Sequence, residues 1–415
     1  MIGSGVFLLP ASLAPYGGIS IVGWLVSTGG ALCLALVFAR LGAALPRIGG
    51  PYAYAREGFG DFGGFLVAWS YWISIWTTNA ALAVAFVSYS TVFWPGLGTS
   101  ATLGGIASLA VLWILTGVNA RGVREAGAVQ LVTTILKILP LAAIGLFGFF
   151  TFDASHFTPF NATGGSPIVA ISTTVTLTLW AFLGLESGTI PAGDVVNPSR
   201  TIPRATVLGT LSAAVIYIVC TVAVMGIIAP ADLSASTAPF ADAAARIWGS
   251  GGRLMIGAGA AISCFGALNG WILLGGQMPR AAALDGLFPE RLARLNAAGT
   301  PLTGLLFSSV VSSILIAINT GGLVNAFTNL ILLATLATLV AYVLSSGTAF
   351  MLALRERGVA GAGPQAGRLT MASLAFAFSV WAIIGAGQFT VYWGFVMLVL
   401  GIPIYVAMRY RAGPG

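Results

Sequence analysis

Apolar runs long enough to cross a bilayer, about 20 residues each, recur along the whole chain. They fall near 18–45, 60–93, 99–119, 127–151, 166–193, 203–229, 252–278, 301–320, 324–353, 368–386 and 388–408, with short polar or glycine- and proline-bearing stretches between them. The pattern predicts eleven membrane helices and an all-α membrane fold. A half-length apolar segment at 1–15 precedes them and ends at Pro15-Tyr16-Gly17-Gly18. Ala238–Ile247 reads as a short amphipathic stretch in a loop. Tyr16, Trp94, Trp393 and the Pro51-Tyr52-Ala53-Tyr54 segment sit at span ends, where aromatic rings favour the membrane–water boundary.

Two apolar segments are interrupted. Met1-Ile2-Gly3-Ser4-Gly5 is a glycine-rich break, and a second lies at Trp180–Gly188. A helix broken at bilayer depth leaves N–H and C=O groups that hydrocarbon cannot satisfy, so such breaks survive only inside protein or along a cavity. Paired broken helices are the sequence pointer to a secondary transporter's substrate site. Each break opens a five-helix stretch, which predicts a five-plus-five inverted repeat. The first repeat covers about 1–151, the second about 166–353, and two last helices cover about 368–410.

Composition excludes a soluble protein. The chain is 58% hydrophobic and only 7% charged, against about 25% charged in soluble domains. Cys33, Cys220 and Cys264 lie inside apolar runs at spacings that fit neither a disulfide framework nor a metal site. The single histidine, His156, is in a polar loop. No nucleophile–base pair or metal cluster is visible, so no enzyme, no metal and no cofactor is expected. The net charge of +7 would suit nucleic acid, but its placement points elsewhere. All but three of the 18 basic residues fall on alternate loops, the exceptions being Lys137, Arg246 and Arg253. By the positive-inside rule those loops and the C-terminus are cytoplasmic. The segment 1–15 must then run outward with Met1 near the midplane, where a charged amino group is costly. The sequence therefore predicts that the inner half of a first helix, about ten residues or more at 1.5 Å per residue, is missing, and that the complete protein has twelve spans.

The residues at the breaks suggest their chemistry. Gly3, Ser4 and Gly5 let the backbone leave the helix, and the half-helix that follows offers free N–H groups to a carboxylate. Close helix packing is the alternative use of such glycines. Unwound carbonyls of the second break could accept from an ammonium group, and Trp180 could lie across the ligand. Glu186 is the only acidic residue deep inside a span, a functional position by default or a structural acid bonded to freed backbone. Trp271 lies mid-span and offers a cation–π face, worth about 2 kcal/mol when desolvated, or simply packs. Tyr71, Ser74 and Asn79 fall on roughly one helix face, suited to ligand contact or to interhelical hydrogen bonds. Lys137, the one lysine, is too deep in its span to snorkel easily and could take the place of a coupling cation.

Together GSGVFLLPASLAPYGGI, GGPYAYAREGFG, YWISIWTTNAA, TLWAFLGLES, GWILLGGQ and ALDGLFPERLARLNAAGTP resemble the amino acid–polyamine–organocation superfamily, over essentially the whole chain. The likeness is above all to the arginine/agmatine antiporters of the basic amino acid/polyamine antiporter family. The resemblance implies a LeuT-type fold. It implies that Gly3, Ser4 and Gly5 hold a substrate carboxylate and that carbonyls around Trp180 and Leu183 take the amino group. It implies that Trp180 covers the ligand, that Trp271 stacks on its cationic head, that Asn79 hydrogen-bonds to that head, and that Ser74 lies beside it. Glu186 then matches a proton-sensitive gate, and Tyr52, Tyr71 and Tyr342 match gating tyrosines. Ser74-Ile75 makes the pocket bulkier than the pattern, Ala334 stands where a serine is expected, and Phe65 replaces a gating tyrosine. Lys137 instead resembles the lysine of proton-coupled relatives that carry neutral amino acids.

The expectation is a bacterial inner-membrane antiporter exchanging a cationic amino acid, arginine-like, for its decarboxylated amine, agmatine-like, by alternating access. Proton-coupled transport of neutral amino acids through Lys137 is the alternative within transport, and a membrane amino acid sensor the alternative outside it. The expected partners are small-molecule amino acids or amines and the lipid bilayer, with no nucleic acid. Relatives of this kind often form homodimers, which extends that expectation to this chain by resemblance alone.

Overall fold

The computed structural model describes residues 4–45, 49–122, 138–186, 197–319, 321–356 and 365–412. Gly3 and Lys137 lie outside them, as does the end of the second break. Every regular element among the described residues is a helix. The longer ones, in chain order, are α1 (Ser4–Leu13), α2 (Ile19–Ala44), α3 (Pro51–Ser90), α4 (Ala101–Arg121), α5 (Ile138–Phe147), α6 (Pro167–Leu179), α7 (Pro198–Ile227), α8 (Pro239–Leu284), α9 (Leu302–Ile318), α10 (Leu323–Arg355), α11 (Gln365–Gly385), α12 (Gln388–Val399) and α13 (Gly401–Ala412). Eight described helices are long and apolar enough to cross a membrane, and four shorter apolar helices accompany them. Where the spans lie within described residues the hydropathy pattern locates them to within a few residues, except that α3 begins at Pro51 rather than near 60 and α8 runs over Pro239–Leu284 rather than 252–278.

Burial decides which helix is central. In α3, 94% of the most apolar 18-residue stretch is buried, whereas the α12–α13 segment buries only 6%. The first is therefore a pillar enclosed by protein and the second a rim that faces lipid. α3 packs most extensively against α10 and α8, α2 packs against α7 and α6, and α1 rests on α8, α7 and α6. Enclosure explains why α3 can carry Tyr71, Ser74, Thr77, Thr78 and Asn79, all buried. The same burial corrects one expectation. Tyr52 is 3% exposed and Tyr54 fully buried, so these rings pack in the protein and form no boundary belt, while Trp94 and Trp393 are exposed as expected.

α3 and α8 run antiparallel. A Cβ on Gly275 would touch Ile75, Phe86 meets Phe265 ring to ring, and a Cβ on Gly257 would touch Val92. Both helices also break in the same way near their starts, hence on opposite faces of the molecule. Gly60 has φ 71° and ψ −170°, and Gly249 has φ 70° and ψ −160°. Three residues on, a Cβ at Gly63 would lie 2.5 Å from Phe59 Cβ, and one at Gly252 would lie 2.7 Å from Trp248 Cβ. In each case a short helix folds back across one end of the pillar pair, which is the repetition expected of two related halves. The amphipathic stretch seen in the sequence is the second of these short helices, with Phe240, Ala241, Ala243 and Ala244 turned inward.

This backbone region is open essentially to glycine alone, and other residues cost of order 1–3 kcal/mol there. No atom lies within 4 Å of a Cβ placed on Gly60 or Gly249, so any cost of Gly60→Ala or Gly249→Ala is backbone strain. Each substitution should lower the unfolding free energy of the purified protein by about that amount. Unchanged thermal midpoints in detergent would show that the hinges tolerate another conformation.

Candidate functional site

The two breaks meet. A Cβ on Gly5 would lie 3.0 Å from the Ala181 Cα and 3.2 Å from Trp180 Cδ1. Only glycine allows that approach, which is why the first break carries one here. α1 starts at Ser4; the Ser4 side chain lies outside the described residues. On the other side α6 ends at Leu179, a 3-10 turn covers Trp180–Phe182, and the chain leaves helical geometry at Leu183 with ψ 140°. The turn is closed by Leu183 N–H to the Trp180 carbonyl and Leu185 N–H to the Phe182 carbonyl, both at 3.2 Å. Phe182 anchors it from behind, edge-on to Trp24 and Tyr217 with centroids 6.0 and 5.7 Å away. Trp180 is 6% exposed, lies edge-on to Phe327, and its indole N–H has no protein partner.

Glu186 follows directly and is fully buried. It accepts hydrogen bonds from the Tyr71 hydroxyl at 2.6 Å and the Tyr342 hydroxyl at 2.5 Å. A carboxylate removed from water is costly unless its oxygens are satisfied, and short bonds from two phenols are the strong kind that offset that cost. Tyr71 is on α3 and Tyr342 on α10, so the acid ties the second break to both pillars. The acid therefore bonds to two helices, in addition to whatever it gives its own broken segment.

Asn79 is also fully buried, yet neither its amide oxygen nor its nitrogen has a hydrogen-bond partner. Native interiors rarely leave both ends of an amide unmet. The antiparallel register that sets Ile75 against Gly275 brings Asn79 level with Trp271, one turn along each helix in opposite directions. Trp271 is half-buried and packs on the core. Ser74 differs, because its hydroxyl is used by the Tyr71 carbonyl at 2.7 Å. Ile75 and Ala334 are fully buried, and Phe65 packs among Trp69, Phe288 and Tyr405. The structure thus brings Gly5 to Trp180, and Glu186 to Tyr71 and Tyr342. It sets Asn79 beside Trp271 by register.

The two ends of this region differ. Toward the basic loops a cavity of about 230 Å³ reaches Tyr71 and is also lined by Tyr52, Leu274, Gln277, Met278 and Arg280. Tyr52 donates to Asp285 at 2.9 Å, and Arg56 reaches the Asp285 carbonyl and, at 2.8 Å, the Asp61 carboxylate. Toward the other face the Tyr89 hydroxyl donates to the Phe7 carbonyl at 2.6 Å and accepts the Phe240 N–H at 3.3 Å. The rings of Phe7, Tyr89 and Phe240 are all fully buried and meet edge to face. Arg253 and Ser236 then hold Asp242 at 3.0 and 2.6 Å. Sequence reasoning passed over Tyr89, Phe7, Phe240 and Asp285. Their roles depend on which elements meet, and the sequence pattern marked only the 238–247 stretch, as an amphipathic segment.

This is the architecture of a membrane transporter built around two facing helix breaks, and the match to known proteins agrees. The amino acid permease family matches residues 1–410, and the chain belongs to that family. It is a transporter, not an enzyme. It is 38% identical over 311 residues to the cadaverine/lysine antiporter of Escherichia coli K12, covering 75% of this chain and 70% of that one. It is 33% identical over 416 residues to the putrescine transporter PotE of the same strain, covering 98% and 92%. PotE of Haemophilus influenzae is 33% identical over 418 residues, covering 99% and 94%. These relatives are named for lysine, cadaverine and putrescine, not for arginine and agmatine.

Two outcomes are expected at the site. Gly5→Ala crowds the Ala181 backbone and the Trp180 ring and should cost about 1–3 kcal/mol of stability as an overpacked substitution, read as a lower unfolding midpoint. Tyr89→Phe removes the hydroxyl that bonds both the Phe7 carbonyl and the Phe240 N–H, a penalty of about 1–3 kcal/mol felt only while the seal is closed. A cysteine at position 79 should then react about tenfold faster with an impermeant maleimide from the Arg246 face. Equal rates with and without Tyr89→Phe would place the seal elsewhere.

Proposed function

We propose that this protein is an antiporter of a bacterial inner membrane, with a cytoplasmic C-terminus, that exchanges a cationic amino acid for its decarboxylated diamine by alternating access. The observation that carries the reading is the buried, unpartnered Asn79 amide level with Trp271. Its oxygen can accept from a cationic head while the indole face attracts the charge, an arrangement worth most when desolvated. The first break, through Gly3, Ser4 and Gly5, receives the carboxylate of the amino acid. The carbonyls at Trp180 and Leu183 receive the α-ammonium. Glu186 with Tyr71 and Tyr342 gates the site toward the basic side, and Tyr52 guards the cavity beyond.

Two details favour a terminal ammonium over a guanidinium. Ile75 fills space against Gly275 in the helix of Trp271, and Ala334 offers no hydroxyl to a second nitrogen. A compact, three-donor ammonium needs less room and fewer acceptors than a planar five-donor fork. The names of the relatives support lysine with cadaverine, or a shorter diamine, ahead of the arginine–agmatine pair that the resemblance first suggested.

Exchange in proteoliposomes tests this. Labelled lysine should enter only against internal lysine, cadaverine or putrescine, and agmatine should drive it less well. Asn79→Ala and Trp271→Leu should weaken cationic substrates by about tenfold or more and neutral ones far less. Uptake of neutral amino acids down a proton gradient, with lysine inert, would replace the reading by the Lys137-coupled one.

A further inference from the structure

Three arginines without acidic partners gather at one corner of the basic face. Arg121 closes the last turn of α4. The Asn296 amide donates to the Ala120 carbonyl at 3.1 Å, and the Thr300 hydroxyl to the Asn119 carbonyl at 3.4 Å. These bonds pin the segment after α8 against the end of α4. Just before the pin a 3-10 turn covers Glu290–Ala293. Leu292 points inward at 8% exposure, while Arg291 and Arg294 are exposed. Arg291 lies within the turn and Arg294 follows it directly. Among the described residues none of Arg121, Arg291 and Arg294 has a carboxylate within ion-pair distance. The exposed Glu290 is the acid of that turn, so positive charge remains in excess.

Toward the membrane interior this corner continues into an apolar channel. α4 and α9 lie side by side, joined by the buried Thr116–Ser309 hydroxyl pair at 2.8 Å and, on the exposed side, by the Trp113 indole N–H to Ser313 at 3.1 Å. Trp113 itself is 40% exposed, and Leu306, on the Ser309–Ser313 side of α9, is 39% exposed. Apolar surface at this level faces lipid chains, and three arginines at the boundary face headgroups.

We propose that this corner is a binding site for an anionic phospholipid. Its phosphate sits among Arg121, Arg291 and Arg294, and one acyl chain lies along the α4–α9 seam. Charge selects the occupant: a second copy of the chain meeting this corner about a two-fold axis would set arginine against arginine. Basic clusters next to membrane helices bind anionic headgroups through the same electrostatics. The site is separate from the transport pathway and holds whatever the transported substrate is.

The test uses the purified full chain and native mass spectrometry with an equal mixture of phosphatidylglycerol and phosphatidylcholine. The wild type should retain phosphatidylglycerol preferentially. R121Q/R291Q/R294Q should weaken that binding by about fivefold for each arginine removed. R200Q/R204Q removes two exposed arginines of the same face on α7 and should leave the binding unchanged. R121K/R291K/R294K keeps the charge and should retain the lipid. Should the triple glutamine variant unfold, R294Q alone should still bind about fivefold more weakly. Equal retention of both lipids, undiminished binding by R294Q and the triple variant, or an equal loss in R200Q/R204Q would overturn the proposal.

Discussion

Everything in this protein is arranged around backbone that leaves the helix inside a membrane. Each unmet amide at that depth costs several kcal/mol, and lipid offers no partner. The structure answers by pressing one break against the other. Gly5 gives up a side chain so that α1 can touch Trp180 and Ala181. The 3-10 turn after α6 recovers two backbone bonds, and Glu186 fastens the loosened chain to α3 and α10 through two tyrosines. Among the buried side chains left without a partner are the Trp180 indole and the Asn79 amide, the two that the proposed function assigns to the ligand.

Such an arrangement needs an enclosing frame, and α3 supplies it. Because protein surrounds this helix, it can carry a run of polar side chains that a lipid-facing helix could not. Its antiparallel partner α8 repeats its design, down to a glycine hinge of nearly the same φ and ψ and a short helix folded over one end. The two short helices cap opposite faces. One carries Tyr52 beside the cavity, and the other carries Phe240 into the aromatic seal. A pair of like devices on opposite faces is what alternating access requires of a symmetric scaffold.

The hydropathy pattern alone located the spans, because membrane helices are specified by length and apolarity more than by contacts. It misplaced the starts of α3 and α8, where short helices before the Gly60 and Gly249 hinges are packed against the protein. That packing also hid Tyr54, which looked like a boundary residue. The breaks were legible because glycine clusters and a lone intramembrane acid are rare. Tyr71 and Tyr342 were legible only by resemblance, since nothing local joins residues so far apart in the chain to Glu186. The Tyr89–Phe7–Phe240 seal was not legible at all, because one of its key acceptors is a backbone carbonyl. Ser74 shows the converse, a residue suited by position whose hydroxyl its own helix uses. Gly3 and Lys137 stand outside the described residues and keep the weight the sequence gave them.

The two ends are closed by different chemistry. On the basic side the buried Tyr71 and Tyr342 hydroxyls hold Glu186, and outside them partly exposed ion pairs such as Arg56 with Asp61, each worth about 0–1 kcal/mol, flank a cavity that reaches Tyr71. On the other face the closure is a buried phenol bonded to two backbone groups of two further elements, and opening it leaves groups unmet at about 1–3 kcal/mol each. Which face the empty protein opens depends on the balance between these two closures. A ligand can change that balance only through contacts it makes differently in the two states. The unmet Asn79 amide and Trp180 indole, beside a carboxylate shared between two pillars, are the groups able to supply such a difference.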